Sequence, residues 1–207
     1  MSKAAYLIWK NQHVTIDDLK HELFSNFCSQ FKNHFSSLQF NFFDEDVRSG
    51  TGLIQSNREN LPDAFIFLKS ISFFDQQCDI EEYLDVHVFE FEGYLLNERK
   101  VLSDKHKSLG DRSNGFSQIA LIDKAEGISE SNFFSHWKNV HTQIAIDTQS
   151  TFEYTQNTIE KGLNTNSKQF LAIVEESFPI EALDDQEIFY DSKDNPDQLK
   201  MNQDLMM

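Results

Sequence analysis

The stretch Ser129–Asp147, SESNFFSHWKNVHTQIAID, is the segment from which the rest of the chain is best read. Phe133, Trp137, Val140, His141, Ile144 and Ala145 recur every three or four residues, a spacing that lays one apolar face along an α-helix. Ser129 stands just before this run, where a hydroxyl can accept the free amide hydrogens of the first turn. The pattern predicts a helix from Ser129 to about Asp147. One titratable group sits in its apolar face: His141, one turn beyond Trp137.

Working outward, Phe116–Lys124 (FSQIALIDK) reads as a strand before this helix, and Phe152–Thr155 and Gln169–Val174 (QFLAIV) as two strands after it. A short helix is expected around Pro179–Leu183. A last strand is expected either at Glu187–Tyr190 or in the closing LKMNQDLMM. A similar order occurs earlier in the chain. Lys3–Lys10 (KAAYLIWK) has a continuous apolar centre that suits a strand covered on both faces. Thr15, with Asp18 three residues on, forms a capping-box pattern. Ile16, Leu19, Leu23, Phe27 and Phe31 carry an apolar stripe from there to about Phe35. Leu38–Phe43 alternates as a half-buried strand does, and Asp44–Pro62 is a long polar loop holding Gly50 and Gly52. Strands at Ala64–Lys69 and Val88–Leu96 then flank a short helix at Asp79–Asp85.

The two halves can be aligned by counting. Lys10 and Lys124 close the first strands 114 residues apart, and Thr15 and Ser129 open the helices at the same offset. Leu19 with Phe133, Leu23 with Trp137, and Phe27 with His141 keep it. This predicts an internal repeat of a βαββαβ, ferredoxin-like unit. The copies are expected at residues 1–99 and 116–207, with a polar linker at 100–115. Each sheet of this kind has one face without helices, and two copies in one chain can cover those faces mutually. The expected fold is therefore α+β, two ferredoxin-like repeats forming an intramolecular, pseudo-dimeric α+β barrel. Such a chain is a monomer with an internal pseudo-twofold or a homodimer. Because His141 stands where the first copy has Phe27, the second copy is expected to be competent and the first structural.

Composition narrows the partners. Twenty Phe against five Tyr and two Trp point to a Phe-packed interior or a Phe-lined cavity. The net charge of −16 disfavours nucleic acid and an anionic membrane surface alike. From Glu175 onward ten acidic residues face only Lys193 and Lys200, a net of −8, which reads as a solvated acidic tail. Cys28 and Cys78 make no disulfide framework and read as small buried hydrophobes of a reducing compartment. No apolar run approaches the ~18 residues that span a bilayer, and MSKAAYLIWK lacks a signal-peptide pattern. A cytoplasmic protein is expected.

The strand Phe116–Lys124, the turn at Gly127, the spacing Phe133-x3-Trp137-x3-His141 and the Asp-rich stretch near Asp184–Asp191 give the second half a resemblance to the EthD family, within the dimeric α+β barrel superfamily. The first half is similar only in its order of elements, with Leu19, Leu23 and Phe27 in place of the aromatic-Trp-His pattern. The resemblance implies paired α+β units first of all. EthD is associated with breakdown of an ether fuel additive alongside a monooxygenase system. Related families include cofactor-free oxygenases, lactone isomerases and polyketide cyclases, so fold alone does not choose a reaction.

The candidate catalytic residues are His141, an imidazole able to move a proton near neutral pH, and Tyr154, a phenol able to hydrogen-bond a substrate oxygen. Phe133 and Trp137 are the candidate substrate-binding wall. The bland alternatives are a half-buried structural histidine and an ordinary strand tyrosine. His136, five positions before His141, is expected on a different helix face, so the two should not chelate. No metal-binding spacing and no glycine-rich phosphate loop occurs, and no cofactor is called for. Two functions fit: a cofactor-independent enzyme of oxidoreductase (monooxygenase), isomerase or cyclase type with His141 as acid or base, or a noncatalytic protein that binds or carries a small apolar or aromatic molecule.

Overall fold

The computed structural model describes residues 1–103 and 110–206. Helices and antiparallel strands are mixed along the chain and gather into two compact units. The first comprises Met1–Arg48, Ile54–Glu98 and Thr158–Gln169; the second comprises Ser49–Leu53, Arg99–Asn157 and Phe170 onward.

In the first unit, β1 (Ser2–Trp9) leads to α1 (Ile16–His21), a π-helical segment Glu22–Phe27 and α2 (Cys28–Phe31). There follow β2 (Ser37–Phe42), β3 (Ala64–Ser70), α3 (Phe73–His87) and β4 (Glu90–Leu102), whose residues from Arg99 count with the second unit. The strand order is β2-β3-β1-β4, with β2–β3, β3–β1 and β1–β4 all antiparallel: Ala4 lies opposite Leu68 on one side and Leu95 on the other. The capping box at Thr15 forms as its residues require. The Asp18 amide donates to Thr15 Oγ1 at 3.1 Å, and the Thr15 amide donates to Asp18 Oδ2 at 3.1 Å. Leu19, Leu23, Phe27 and Phe31 are all buried and pack with Tyr6, Ile8, Ile66 and Leu68. From Ala4 to Ile8 nothing of β1 is exposed, so both of its faces are covered.

Several boundaries differ from the expected ones. The helix expected at Asp79–Asp85 begins at Phe73, because Phe73, Ile80 and Leu84 form one buried edge two turns and one turn apart. β4 runs on to Leu102 although its far end is polar, since Glu98 accepts from Lys3 Nζ at 3.0 Å and from Lys69. Residues 100–102 of the expected linker are thus strand, and residues 104–109 lie outside the described residues. The long loop is tied down by Arg58, which donates to both oxygens of buried Glu92 at 3.0 and 2.9 Å and lies over the Trp9 ring.

The second unit contains β5 (Phe116–Ile122), α4 (Glu130–His136), a π-helical turn Trp137–His141, α5 (Thr142–Thr148), β6 (Glu153–Gly162) and β7 (Ala172–Phe178). Beyond a short 3-10 turn at Ile180–Leu183 come α6 (Gln186–Phe189) and α7 (Pro196–Met206). The order is β6-β7-β5, with Ala120 opposite Val174 across the antiparallel β5–β7 ladder. The last residues of β6, from Thr158, count with the first unit. Ser129 caps α4, accepting from the Asn132 amide at 3.2 Å. Neither place expected to hold a final strand is a strand. Glu187–Phe189 is helical because the Asp185 carboxylate accepts from the Glu187 and Ile188 amides, and the closing segment is α7. Asn202 of α7 donates to the Tyr190 carbonyl and joins the two helical pieces.

The abundant Phe is mainly packing. Phe27 and Phe31 lie 4.8 Å apart, Phe24 and Phe40 5.0 Å, and Phe178 and Phe189 4.6 Å between ring centroids. Among the described residues no helix is long and apolar enough to cross a membrane.

Candidate functional site

Three of the four residues singled out from the sequence meet in the second unit. Trp137 and Tyr154, both almost wholly buried, share one apolar cluster with Ala145, Ala172 and Val174, and Phe133 packs against it. The Phe133 and Trp137 rings stack at 6.0 Å. His141 is on the same helical run but is only half-buried.

The reason is the π-helical turn. An α-helix would return to the Trp137 direction at His141, four residues on, whereas a π turn returns five residues on. Thr142 therefore takes the buried position after Trp137 and donates its hydroxyl to the Trp137 carbonyl at 2.8 Å. The His141 pKa is lowered first by burial and then by the charge of His136. A lowered pKa keeps His141 a neutral imidazole near pH 7, able to accept a proton. Among the described residues no group of three or more His, Cys, Asp or Glu is arranged to hold a metal ion.

Tyr154 is held by a buried polar network. Gln156 donates from Nε2 to the Tyr154 hydroxyl at 3.1 Å and to Thr142 Oγ1 at 2.9 Å. Its own Oε1 accepts from Arg99 Nη1 at 2.9 Å, and Arg99 also donates to the Lys138 carbonyl at 3.1 Å. The phenol oxygen is thus an acceptor of Gln156 while still carrying its own proton. Burial, and next the Glu176 carboxylate, raise the Tyr154 pKa, against which hydrogen bonding with Gln156, Thr142 and Trp137 acts.

Glu176 is the residue that sequence reasoning missed. It falls within β7, two residues beyond Val174, so the period-two alternation points it to the face that carries Ala172, Val174 and the aromatic cluster. Burial pushes its carboxyl up to about 7. The signal was present as two adjacent acids, Glu175 and Glu176, in an otherwise apolar strand. Adjacent residues of a strand point to opposite faces, but the expected strand ends at Val174, which leaves both acids in the expected tail, whereas β7 runs on to Phe178. Glu175, on the other face, accepts from Asn157 Nδ2 at 2.8 Å.

Two surface depressions of about 340 and 370 Å³ lie in the first unit. The smaller is lined by residues 33–36 and 70–72, the larger by Lys3, Lys69, Glu98, Glu160 and their neighbours, and neither involves the aromatic cluster.

Residues 125–205 match the family model of the EthD domain. The matched segment contains Phe133, Trp137, His141, Tyr154, Gln156 and Glu176, and excludes β5 and Arg99. No curated protein matches the chain.

Proposed function

We propose that this is an EthD-family protein whose second half holds a small apolar or aromatic molecule against Phe133 and Trp137, with His141 as the proton acceptor and Tyr154 as a hydrogen-bond donor. The observation that carries the reading is the EthD match falling on the segment that assembles an aromatic wall, a buried tyrosine and a depressed-pKa histidine around one helix. In its enzymatic form the protein is a cofactor-independent proton-transfer catalyst of the oxygenase, isomerase or cyclase kind. A neutral imidazole suits removal of a proton from an enolisable or phenolic substrate, and a tyrosine hydroxyl suits the oxygen on which charge then gathers.

The same proposal includes the finer architecture: a tandem repeat with a degenerate first copy, residues 1–99 and 116–207, paired as an intramolecular α+β barrel. The supporting facts are the order β2-β3-β1-β4 in the first unit and β6-β7-β5 in the second. With α4–α5 following β5, as α1–α2 follow β1, these are equivalent sequences of elements, the second lacking a fourth strand among the described residues. π-Helical segments at corresponding places, Glu22–Phe27 and Trp137–His141, add to this. A cytoplasmic location fits the two unpaired cysteines, Cys28 and Cys78. The proposed assembly is a monomer with an internal pseudo-twofold or a homodimer.

A noncatalytic small-molecule-binding or accessory protein is the second reading, favoured by the half-buried, off-face placement of His141. The deciding experiment is a thermal-shift screen of wild type, His141→Ala and Trp137→Ala against haem, flavin, quinones and small aromatic or ether-like molecules. A ligand at 100 times its Kd stabilises a fold by about 2.7 kcal/mol. Binding in wild type and His141→Ala with turnover only in wild type supports the enzyme. Equal binding without chemistry in either supports the noncatalytic reading. Binding unaffected by Trp137→Ala would refute the site.

A further inference from the structure

β2 ends the strand order of the first unit, so only one of its two edges is paired. The register fixes which residues look to the open side. In an antiparallel ladder alternate residues exchange both backbone hydrogen bonds with the neighbouring strand, and those between turn their N–H and C=O away from it. The Phe43 amide donates to the Asp63 carbonyl at 2.9 Å, one step beyond the pairing of Phe42 with Ala64. Counting back by twos, Asn41, Gln39 and Ser37 bond to β3, and Leu38, Phe40 and Phe42 turn their backbone groups to the open edge. Among the described residues those groups meet no hydrogen-bond partner.

Nothing blunts this edge. From Ser37 to Phe42 (SLQFNF) there is no charge and no proline, and the pairing with β3 runs without a bulge. An aromatic rim stands beside it: Phe24, 55 % exposed, lies 5.0 Å from the Phe40 ring and 5.5 Å from the Phe42 ring. Charge is graded along its length. Exposed Lys32 and His34 precede the strand, and exposed Glu45 and Asp46 follow it. An edge with one basic and one acidic end complements an antiparallel copy of itself and repels a parallel one.

We infer that β2 is a dimerisation edge, on which a second copy of this chain lays its own β2 antiparallel about a twofold axis at Phe40. This rests on the homodimeric form of the assembly proposed above and names its surface; it is independent of the small-molecule site. The pairing is self-complementary, so it closes at two copies. Phe40 exchanges both backbone bonds with Phe40 of the second copy, and Leu38 does so with Phe42 on either side. Opposed residues of such a pair share a sheet face, so the two Phe24–Phe40–Phe42 clusters meet and Phe24 is covered. The Lys32–His34 end of each copy then comes beside the Glu45–Asp46 end of the other.

The test is sedimentation equilibrium of the full chain from about 1 to about 500 µM, a range that brackets a micromolar association. NMR follows amide hydrogen exchange at Leu38, Phe40 and Phe42 over the same range. Wild type should pass from monomer to dimer and stop there, with those amides exchanging more slowly as the dimer fills. Leu38→Pro removes one edge-facing N–H and leaves the β3 ladder intact, and should weaken the dimer about tenfold. Phe24→Lys, at an exposed position, should weaken it likewise and decides the matter if the proline variant does not fold; circular dichroism checks both. Lys32→Glu and Glu45→Lys should each weaken the dimer, and the two together should restore it. A monomer at every concentration overturns this inference and the homodimeric form, leaving the monomeric form and the ligand site standing. A dimer that ignores Leu38→Pro and Phe24→Lys, or that leaves the three amides unprotected, overturns β2 as the surface and keeps the homodimer. Growth beyond the dimer overturns the twofold pairing.

Discussion

Thr142 donates its hydroxyl to the carbonyl of Trp137, 2.8 Å away and five residues upstream. The spacing is that of a π-helical turn, in which one extra residue is accommodated and the buried face of the helix shifts phase. The bond has a second partner on the sheet, because Thr142 Oγ1 also accepts from Gln156. One hydroxyl thus links the irregular turn to the strand that carries Tyr154.

Replacing Thr142 by Val keeps the shape and removes both bonds, leaving a buried Gln156 donor short of an acceptor. The expected loss is about 1–3 kcal/mol in urea unfolding. A change below a few tenths would mean that the turn holds without this link.

The influence of His136 on His141 is measurable directly. Burial and the His136 charge both lower the His141 pKa, so His136→Gln should raise it while leaving it under the ordinary value of 6.5, because burial persists. Imidazole resonances followed by NMR against pH report the shift. A His141 midpoint that does not move would show that the two rings are too far apart to interact.

Glu176 shapes the pH dependence of stability. Its folded pKa, about 7, lies above the ordinary 4.5, so the folded state holds more protons than the unfolded state between these values. Stability should therefore fall as pH rises from about 4.5 to about 7 and then level off, by at most on the order of 3 kcal/mol. In Glu176→Gln this component disappears. Urea midpoints at pH 5 and pH 8 compare the two proteins, and parallel behaviour would exclude a buried, proton-holding Glu176.

Arg58→Ala leaves the Glu92 carboxylate buried beside Tyr94 without its bidentate partner. Breaking such a pair costs about 3–5 kcal/mol, whereas replacing both charges by Met should cost much less. The same substitution releases the loop that Arg58 fastens, so limited proteolysis should cut within residues 54–62 in the variant and not in wild type.

Gly115 and Gly127 both have positive φ, 89° and 81°, yet their surroundings differ. A Cβ on Gly115 would sit 2.0 Å from the Phe178 carbonyl oxygen, a backbone atom that cannot swing aside, while one on Gly127 meets nothing within 4 Å. Gly127→Ala should cost only the left-handed strain, about 1 kcal/mol, and Gly115→Ala clearly more. Thermal unfolding of the two variants side by side makes the comparison, and equal losses would contradict the close approach.

Much of this protein is written in short stretches. The stripe Leu19-Leu23-Phe27-Phe31 and the Thr15–Asp18 box specify a helix and its start through residues within two turns of one another. The apolar centre of β1 specified burial on both faces, and the meeting of Phe133, Trp137 and Tyr154 was legible from a helix followed by a strand. Periodicity determines which side chains share a face because neighbouring residues alone set it. Tertiary structure decided the rest. The π turn that turned Thr142 inward, the pairing of Arg58 with Glu92 thirty-four residues away, and the placing of Glu176 on the aromatic face of β7 and Glu175 on the other depend on helix phase and strand register. The segment Glu187–Tyr190 could have been strand by composition and is largely helix by its Asp185 cap and its tie to Asn202. Those outcomes rest on contacts between distant parts of the chain, where a one-residue shift in register or phase exchanges a buried group for an exposed one.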